Sequence, residues 1–200
     1  MEQIRSFIAI ELPDEVRSAL AELQTSLQKE QQPAVKWVDP YGIHLTLKFL
    51  GNIDTGKISE VTSAIEQAAR GFTPLALEVK DLGVFPNFKR VRVVWVGVGG
   101  DISRLKQLQQ RLESNLVPLG FARESRPFTP HLTLARVREK ASPTEQQHFG
   151  QLIASAKFET VHHFTADSIS LMQSQLTTAG AIYRQITNAS LKKPLSKGAD

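Results

Sequence analysis

Two identical tetrapeptides carry the residues in this chain whose types and spacing could do chemistry. Residues 44–47 and 131–134 both read His-Leu-Thr-Leu, and the two copies are 87 positions apart. Side chains alternate between the two faces of a β-strand, so each copy would present His and Thr on one face and bury two Leu. If the two strands lie side by side, two imidazoles and two hydroxyls converge on one spot. That set suits general acid–base catalysis.

The repetition of the motif favours a catalytic role over a structural one. A single His-Leu-Thr-Leu segment would be interpreted most simply as an ordinary strand with a surface or packed histidine. Two identical copies are rare in a chain that has 5 His among 200 residues. The pattern therefore predicts that His44 and His131 form a catalytic pair.

Composition limits the setting of this chemistry. Hydrophobic residues make up 41% and charged residues 22%, which is typical of a soluble globular protein. No apolar run approaches the length of a membrane helix, and the N-terminus lacks the apolar stretch of a signal peptide. The chain has no Cys, which excludes disulfides and thiolate sites and fits a cytoplasmic location. The net charge of +4 mildly favours a phosphorylated ligand.

The elements that must position the two motifs alternate between strands and helices. The predicted strands are 4–10, 35–38, 43–50, 75–79, 91–98, 131–137, 157–165, 168–174 and 181–187. The predicted helices run from residue 14 to about 30, from a cap at 54 or 55 to 69, from 101 to 117, and from a Ser-Pro start at 142 to 156. A turn-rich loop is predicted at 83–89.

The order strand–helix–motif strand–helix–strand occurs twice. A shift of 87 positions aligns Arg5 with Arg92 and Pro40 with Pro127 as well as the two motifs. We therefore expect a single bilobal domain over residues 1–187, with an approximate two-fold axis and one motif strand from each lobe at a central cleft. Residues 188–200 are polar and are predicted to form a flexible tail.

The segments around the motifs resemble a known family over about residues 2–187. They are Arg-Ser-Phe-Ile-Ala-Ile at 5–10, Trp-Val-Asp-Pro at 37–40, Lys-Phe-Leu-Gly at 48–51, Pro-Phe-Thr-Pro-His-Leu-Thr-Leu-Ala-Arg at 127–136, and Ser174, Gly180 and Tyr183. Together they resemble the RNA 2′,3′-cyclic phosphodiesterases, also called 2′-5′ RNA ligases, of the 2H phosphoesterase superfamily. The resemblance implies an α+β fold of two pseudo-symmetric lobes of antiparallel β-sheet flanked by helices, with the active site between the lobes.

The resemblance also implies the chemistry. It implies hydrolysis of RNA 2′,3′-cyclic phosphate ends to 2′-phosphate ends without a metal or another cofactor. In that reaction His44 is the proton donor to the leaving 3′ oxygen, and His131 is the proton acceptor that activates water. The residues themselves leave open which histidine does which task. By microscopic reversibility, the same pair could join a cyclic end to a 5′-hydroxyl and form a 2′-5′ bond.

The phosphate needs hydrogen-bond donors, because negative charge grows on its oxygens during attack. Thr46 and Thr133 share faces with their histidines and are candidates. Arg136 is a third candidate, because a guanidinium matches phosphate geometry. It follows His131 by an odd number of residues, so strict alternation would direct it away from the cleft. A strand end or a bulge would be needed to bring it back.

Five residues are candidates for holding the RNA and its base, since aromatic stacking commonly binds single-stranded RNA. They are Arg5, Phe7, Trp37, Phe128 and Tyr183. For each aromatic residue taken singly, the alternative is packing in the core. For Arg5 the alternative is a surface ion pair.

Two other functions compete with the leading hypothesis. One keeps the chemistry but changes the substrate to another cyclic or 2′-5′ nucleotide. The other is a non-catalytic nucleotide- or RNA-binding module, which the two intact motifs disfavour because a pure binder does not need two titrating groups. The expected partner is RNA with cyclic phosphate ends, with no membrane, no obligate protein partner and a monomeric chain.

Overall fold

The computed structural model describes residues 2–28, 32, 34–158, 161–177 and 180–192. Within them, four α-helices flank one sheet of nine strands. The helices are α1 (Asp14–Leu27), α2 (Ile58–Ala69), α3 (Ile102–Leu116) and α4 (Pro143–Ser155). The strands are β1 (Gln3–Glu11), β2 (Val35–Trp37), β3 (His44–Asp54), β4 (Leu75–Phe85), β5 (Val93–Gly100), β6 (His131–Val137), β7 (His162–Ala166), β8 (Ser168–Leu176) and β9 (Ala181–Ser190). No helix among these residues is long and apolar enough to cross a membrane.

The helices begin where local hydrogen bonding and burial favour them. At the start of α4, the Ser142 hydroxyl accepts from the Glu145 backbone N–H at 3.2 Å, and the Glu145 carboxylate accepts from the Ser142 N–H at 2.7 Å. This capping box confirms the predicted Ser-Pro start. The start of α2 was predicted wrongly, because a 3₁₀ turn at Thr55–Lys57 precedes it and the helix begins at Ile58.

The two motif strands lie next to each other at the centre of the sheet. The strand order is β7-β4-β5-β6-β3-β1-β8-β9, with the short β2 paired to β6, and the pairs are antiparallel. Leu45 of β3 lies opposite Leu132 of β6. These leucines are the second residues of the two motifs, so the second positions meet each other and the first position of each motif meets the third of the other. A local two-fold axis therefore passes between the motifs.

Each half of the sheet contains strands from both halves of the chain. The first lobe consists of β3, β1, β8 and β9, and the second of β6, β5, β4 and β7. Strand β4 follows α2 in the chain but pairs with β5, while β8 comes near the end of the chain and pairs with β1. The repeated order of elements is present, but neither lobe is a contiguous stretch of chain.

A bulge falls on the last residue of each motif. The pairing of β3 with β1 leaves Leu47 without a partner, and the pairing of β6 with β5 leaves Leu134 without one. An extra residue in one strand reverses the alternation of faces beyond it. Phe49 and Arg136, each five positions after its histidine, therefore project from the same face as the histidines.

The flanking strands do not keep the 87-residue offset of the motifs. The alignment of Arg5 with Arg92 is wrong, because the pairing makes Phe7 the counterpart of Val93, an offset of 86. Phe7 and Val93 each lie opposite the fifth residue after a motif histidine. A slip of one residue moves a side chain to the other face of a strand, so the shift matters for assigning equivalent positions.

Apolar residues pack on both faces of the sheet. The main core contains the four motif leucines and the apolar stripes of all four helices. A small second cluster of Phe7, Ala9 and Met172 packs with Tyr183. Phe7 and Ala9 alternate along β1 with residues of the main core, so this second cluster lies on the opposite face. The opposite face also carries the motif histidines.

The last strand extends further than the sequence predicted. A flexible tail was expected from residue 188, but β9 continues to Ser190 and Leu191 is buried. The Leu191 backbone N–H donates to the carbonyl oxygen of Asp167 at 2.7 Å. The folded domain therefore includes Leu191. The predicted tail at 193–200 lies outside the described residues.

Candidate active site

The pairing of β3 with β6 brings the four motif side chains to one face. Because the strands are antiparallel around their central leucine pair, His44 lies across from Thr133 and His131 lies across from Thr46. All four side chains are half-buried. The structure thus places together the histidines and threonines that the sequence singled out.

Each histidine is held by an equivalent hydrogen bond to a backbone carbonyl oxygen. The Nδ1 of His44 lies 2.8 Å from the carbonyl oxygen of Gly42, and the Nδ1 of His131 lies 2.8 Å from that of Thr129. A carbonyl oxygen only accepts, so Nδ1 carries the proton in both rings. The other nitrogen, Nε2, is then the one available to a substrate. It accepts a proton when the ring is neutral and donates one when the ring is charged.

Local hydrogen bonds fix the segment before His44, which includes the Gly42 carbonyl. The Asp39 side chain accepts from the Tyr41 backbone N–H at 3.0 Å, and the Gly42 N–H donates to the Asp39 carbonyl at 2.8 Å. A Cβ on Gly42 would lie 3.2 Å from the Tyr183 ring. The glycine therefore allows the turn to pack against the ring that also contacts His44.

The aromatic rings around the two histidines differ. Phe7 stacks on His44 with ring centroids 4.5 Å apart, and Tyr183 meets the same imidazole edge-on at 5.0 Å. His131 has an edge-on contact with Phe85 at 5.1 Å and a more distant one with Trp95 at 6.5 Å. The imidazole of His44 is therefore more closely packed than that of His131.

Burial shifts the protonation of His44. Desolvation lowers the pKa of its imidazole and outweighs the other effects. The Gly42 carbonyl and the Glu11 carboxylate raise this pKa, while the positive charge of Arg136 lowers it. In the free protein, the environment thus favours the neutral ring of His44.

Arg136 lies on the histidine face because of the bulge at Leu134. Its charge affects the titration of both His44 and Tyr183: it lowers the pKa of each, although burial is the larger influence and raises that of Tyr183. The bulge required by the sequence argument is present. Arg136 therefore reaches the cleft as a cation next to the motif residues.

The aromatic residues predicted to bind a base fall into two groups. Trp37 packs edge-on against Phe149 of α4, and Trp37 and Phe128 are half-buried against the main core, which favours the packing alternative; their role in binding a base stays a prediction. Phe7 is on the cleft face but is 3% exposed, and its ring is stacked on His44 rather than open to a base. Tyr183 is half-buried beside the same histidine.

Arg5 lies at one end of the cleft face. It is exposed, and its positive charge affects the titration of Tyr183, though less than burial and Arg136 do. It lines a polar groove of about 510 Å³ together with Asn52 and Ser174. Strand geometry puts Arg5 about 7 Å along β1 from Phe7.

Sequence reasoning missed several residues of the site. Phe49 is 59% exposed on the histidine face, at the position that Arg136 occupies in the other lobe. Glu11 lies directly opposite His44, and Phe85 and Trp95 surround His131. No pattern in the sequence placed Phe49 on this face, because the bulge that turns it there is visible only in the strand pairing.

A buried ion pair fixes the approach to the second motif. The Lys48 Nζ donates to the Glu113 carboxylate at 3.0 Å and to the Ala122 carbonyl oxygen at 2.6 Å. Lys48 comes directly after the bulge of β3, and Ala122 begins the segment that leads to His131. This contact ties the chain before one motif to the strand of the other.

The remaining titratable clusters lie elsewhere. His162 and His163 are neighbours on the edge strand β7 and point to opposite faces. His163 is 3.9 Å from the Glu78 carboxylate on β4. Within the described ranges, no group of three or more His, Asp or Glu side chains could hold a metal ion.

Most of the chain matches a known protein family. Residues 7–178 match the model of the 2′-5′ RNA ligase superfamily. An RNA 2′,3′-cyclic phosphodiesterase of Methanothermobacter thermautotrophicus is 34% identical over 181 residues, which are 90% of this chain and 95% of the relative. One of the same name from Thermotoga maritima is also 34% identical, over 90% of this chain and 92% of its own.

Solved structures share the fold. The crystal structure of Thermus thermophilus TT0787 superposes with a TM-score of 0.76 at 27% identity, over 96% of this chain and all of that one. Escherichia coli LigT in complex with 3′-AMP gives a TM-score of 0.75 at 24% identity, with the same coverage. The second similarity supports the antiparallel α+β architecture alone.

Proposed function

The chain belongs to the 2′-5′ RNA ligase superfamily, and we propose that it hydrolyses RNA 2′,3′-cyclic phosphate ends to 2′-phosphate ends. The observation that carries the proposal is the matched pair of histidines on adjacent strands, each with Nδ1 bound to a backbone carbonyl. Two available Nε2 atoms related by a two-fold axis suit an in-line displacement, in which acid and base lie on opposite sides of the phosphorus.

The proton transfers balance between the two rings. His131, as the neutral base, takes a proton from water at Nε2 while the water oxygen forms a bond to phosphorus. The bond from phosphorus to the 3′ oxygen breaks, and the Nε2–H of charged His44 protonates that oxygen. The product carries a phosphomonoester on its 2′ oxygen. Proton exchange with solvent then restores both rings, and the scheme assigns no step to a metal.

The negative charge of the substrate favours the protonated form of His44, which is the form that a proton donor requires. Burial lowers the pKa of His44 in the free protein, which disfavours the charged acid. A cyclic phosphodiester carries a negative charge, and an anion beside an imidazole stabilises its protonated form. Binding would therefore raise the pKa of His44 at the moment when the proton donor is required.

Three side chains are proposed to bind the phosphate. The hydroxyls of Thr46 and Thr133 project from the same face as the histidines, and Arg136 joins them through the bulge. A guanidinium and two hydroxyls match the growing charge on the non-bridging oxygens during attack. These roles follow from placement on the face and from the chemistry of the groups.

The RNA chain would extend along the cleft face of the first lobe. Phe49 offers an exposed ring on which a base could stack, with Tyr183 at the side of the cleft. Arg5 and the groove it shares with Asn52 lie beyond Phe7 and could hold the preceding nucleotide. The spacing along β1 is about one nucleotide step.

The proposed working unit is one chain. Both histidines come from the same polypeptide and neither lobe contains a complete site, so residues 1–191 would act as one bilobal domain in a monomer. We also propose a cytoplasmic location, which the lack of Cys supports. The reverse reaction, attack by a 5′-hydroxyl on the cyclic end, would use the same histidines and give a 2′-5′ bond.

The proposal is tested with a short RNA that ends in a 2′,3′-cyclic phosphate, incubated with pure protein and a chelator. We expect conversion to a 2′-phosphate end, identified by ³¹P NMR against 2′-phosphate and 3′-phosphate standards. Turnover of other cyclic nucleotides but not of RNA would favour the alternative substrates. Binding without turnover would identify a non-catalytic module, and a 3′-phosphate product would reverse the assignment of the leaving group.

A further inference from the structure

The two-fold axis makes the histidines equivalent, but the reaction requires different protonation states. The strands that pair with the two motif strands carry different residues opposite the two histidines. Glu11 of β1 lies directly opposite His44, whereas Gly97 of β5 lies directly opposite His131. Residues directly opposite each other in an antiparallel pair project from the same face, with Cβ atoms about 5 Å apart. The Glu11 side chain therefore lies beside His44 on the cleft face.

The second lobe has no room for an equivalent carboxylate. A Cβ at Gly97 would lie 2.9 Å from the backbone oxygen of Lys80. Asp81, which is close to Gly97, belongs to β4 and is separated from His131 by the whole of β5. The difference between Glu11 and Gly97 is thus fixed by backbone packing as well as by residue type.

Contacts from two further strands hold the Glu11 carboxylate. The Ser170 hydroxyl of β8 donates to Glu11 Oε1 at 2.8 Å, and Gln185 of β9 donates through Nε2 to the same hydroxyl oxygen at 3.1 Å. Ser170 is 2% exposed, so the hydroxyl that joins the two hydrogen bonds is shielded from solvent, whereas Glu11 and Gln185 are exposed. It crosses β1, β8 and β9 and has no role in the chemistry described above.

Glu11 acts on His44 through its charge. The Nδ1 of His44 is already bound to the Gly42 carbonyl, so the carboxylate does not replace that acceptor. Three strands bring titratable or charged groups to His44: Glu11 from β1, Arg136 from β6 and Tyr183 from β9. Desolvation and Arg136 lower the pKa of His44, and Glu11 opposes both.

We propose that Glu11, held by Ser170 and Gln185, is a positioning residue that stabilises the His44 imidazolium and so makes this histidine the proton donor. The inference rests on the proposed function and names the residue that breaks the symmetry of the pair. Glu11 keeps no proton in the reaction: the proton of the attacking water goes to His131, and the proton of His44 goes to the 3′ oxygen.

The test combines NMR titration of the histidine rings with pH–rate profiles for Glu11→Gln, Glu11→Asp and Ser170→Ala. In Glu11→Gln we expect the pKa of His44 to fall and that of His131 to stay. The variant should lose about three- to tenfold in kcat at pH 8 with little change in KM, because fewer molecules hold the acid in its charged form. Glu11→Asp should recover part of the loss, and Ser170→Ala should lose less than Glu11→Gln. Glu15→Gln, an exposed change on α1, is the matched control.

The outcomes separate this inference from the proposed function. An unchanged titration of His44, or an equal movement of His131, overturns the role of Glu11 while hydrolysis by the unaltered protein stands. A faster reaction of Glu11→Gln at neutral pH overturns the acid assignment, because it identifies His44 as the base. If Glu11→Gln does not fold, the salt dependence of the His44 pKa in the unaltered protein answers the same question. Salt screens both Glu11 and Arg136, and Glu11 has the larger effect on this pKa. About 0.5 M NaCl should therefore lower the pKa of His44 in the unaltered protein, and a pKa that does not fall overturns the role.

Discussion

The first lobe packs its histidine differently from the second, although the two motifs are identical. His44 lies against a stacked Phe7 and an edge-on Tyr183, with the Glu11 carboxylate opposite. His131 has looser edge contacts and a glycine opposite. The backbone, including the hydrogen bond to Nδ1 and the bulge at the last residue of the motif, is the same in both lobes. The repeat thus supplies the common geometry of the two histidines, and we propose that the neighbouring side chains give the two histidines different roles.

The largest effect is expected from removing either histidine. His44→Ala and His131→Ala should each lower kcat about 10³-fold, because each removes one of two proton transfers in the same step. A mixture of the two variants should stay inactive, since both histidines must come from one chain. The measurement is single-turnover hydrolysis of a cyclic-ended RNA, with His163→Ala as the control at the sheet edge. Recovery of activity in the mixture would contradict the one-chain site.

The position five residues after each histidine offers the next comparison. Arg136→Met should lower kcat about 100-fold, because the guanidinium stabilises charge that develops in the transition state. Phe49→Ala should instead raise KM about tenfold with kcat nearly unchanged, because stacking binds substrate and transition state equally. Steady-state kinetics on the same RNA measures both. The same pattern of kcat and KM in the two variants would show that the lobes do not divide these tasks.

A third comparison concerns stability. Lys48 and Ala135 directly follow the two bulges, and only the lysine forms a buried ion pair, with Glu113. Lys48→Met should cost about 3 kcal/mol of unfolding free energy, because Glu113 would stay buried without its partner. Urea unfolding measures the change, and the exposed Lys57→Met serves as control. Equal stability of the two variants would show that the ion pair does not hold the approach to the second motif.

The smallest effect is expected at the end of the first lobe. Arg5→Ala should lower kcat/KM for a cyclic-ended dinucleotide about fivefold relative to a cyclic mononucleotide, because one phosphate contact is lost. The exposed Lys106→Ala on α3 removes the same charge from the helix side and is the control. An unchanged ratio for Arg5→Ala would place the RNA chain outside this groove.

Much of the molecule follows from its sequence because local patterns and the repeat agree. Alternation and helical spacing located the strands and helices, and the two motifs meet as the repeat predicted. The extent of β4 was missed, since Gly83 lies in a strand that continues to Phe85 instead of a loop. The exchange of β4 and β8 between the lobes was also missed, because pairing between distant strands leaves no local signal in the sequence.

The division between core and cleft was predicted less well. Trp37 and Phe128 looked equivalent to Tyr183 in the sequence, yet they pack on the helix side of the sheet. The face of Trp37 depends on the register of β2, and Phe128 lies in the loop before β6; a single chain reveals neither placement. For Arg136 the bulge has the opposite result: strict alternation would direct this side chain away from the cleft, and the bulge at Leu134 turns it toward the histidines.

We propose that two structurally equivalent histidines have opposite roles, with His44 as acid and His131 as base. This assignment is tested most directly with an RNA end whose 3′ leaving oxygen is replaced by sulfur, since a thiolate leaves without being protonated. We expect His44→Ala to hydrolyse this substrate at nearly the rate of the unaltered protein, while His131→Ala stays inactive. Rescue of His131→Ala in place of His44→Ala would contradict the assignment.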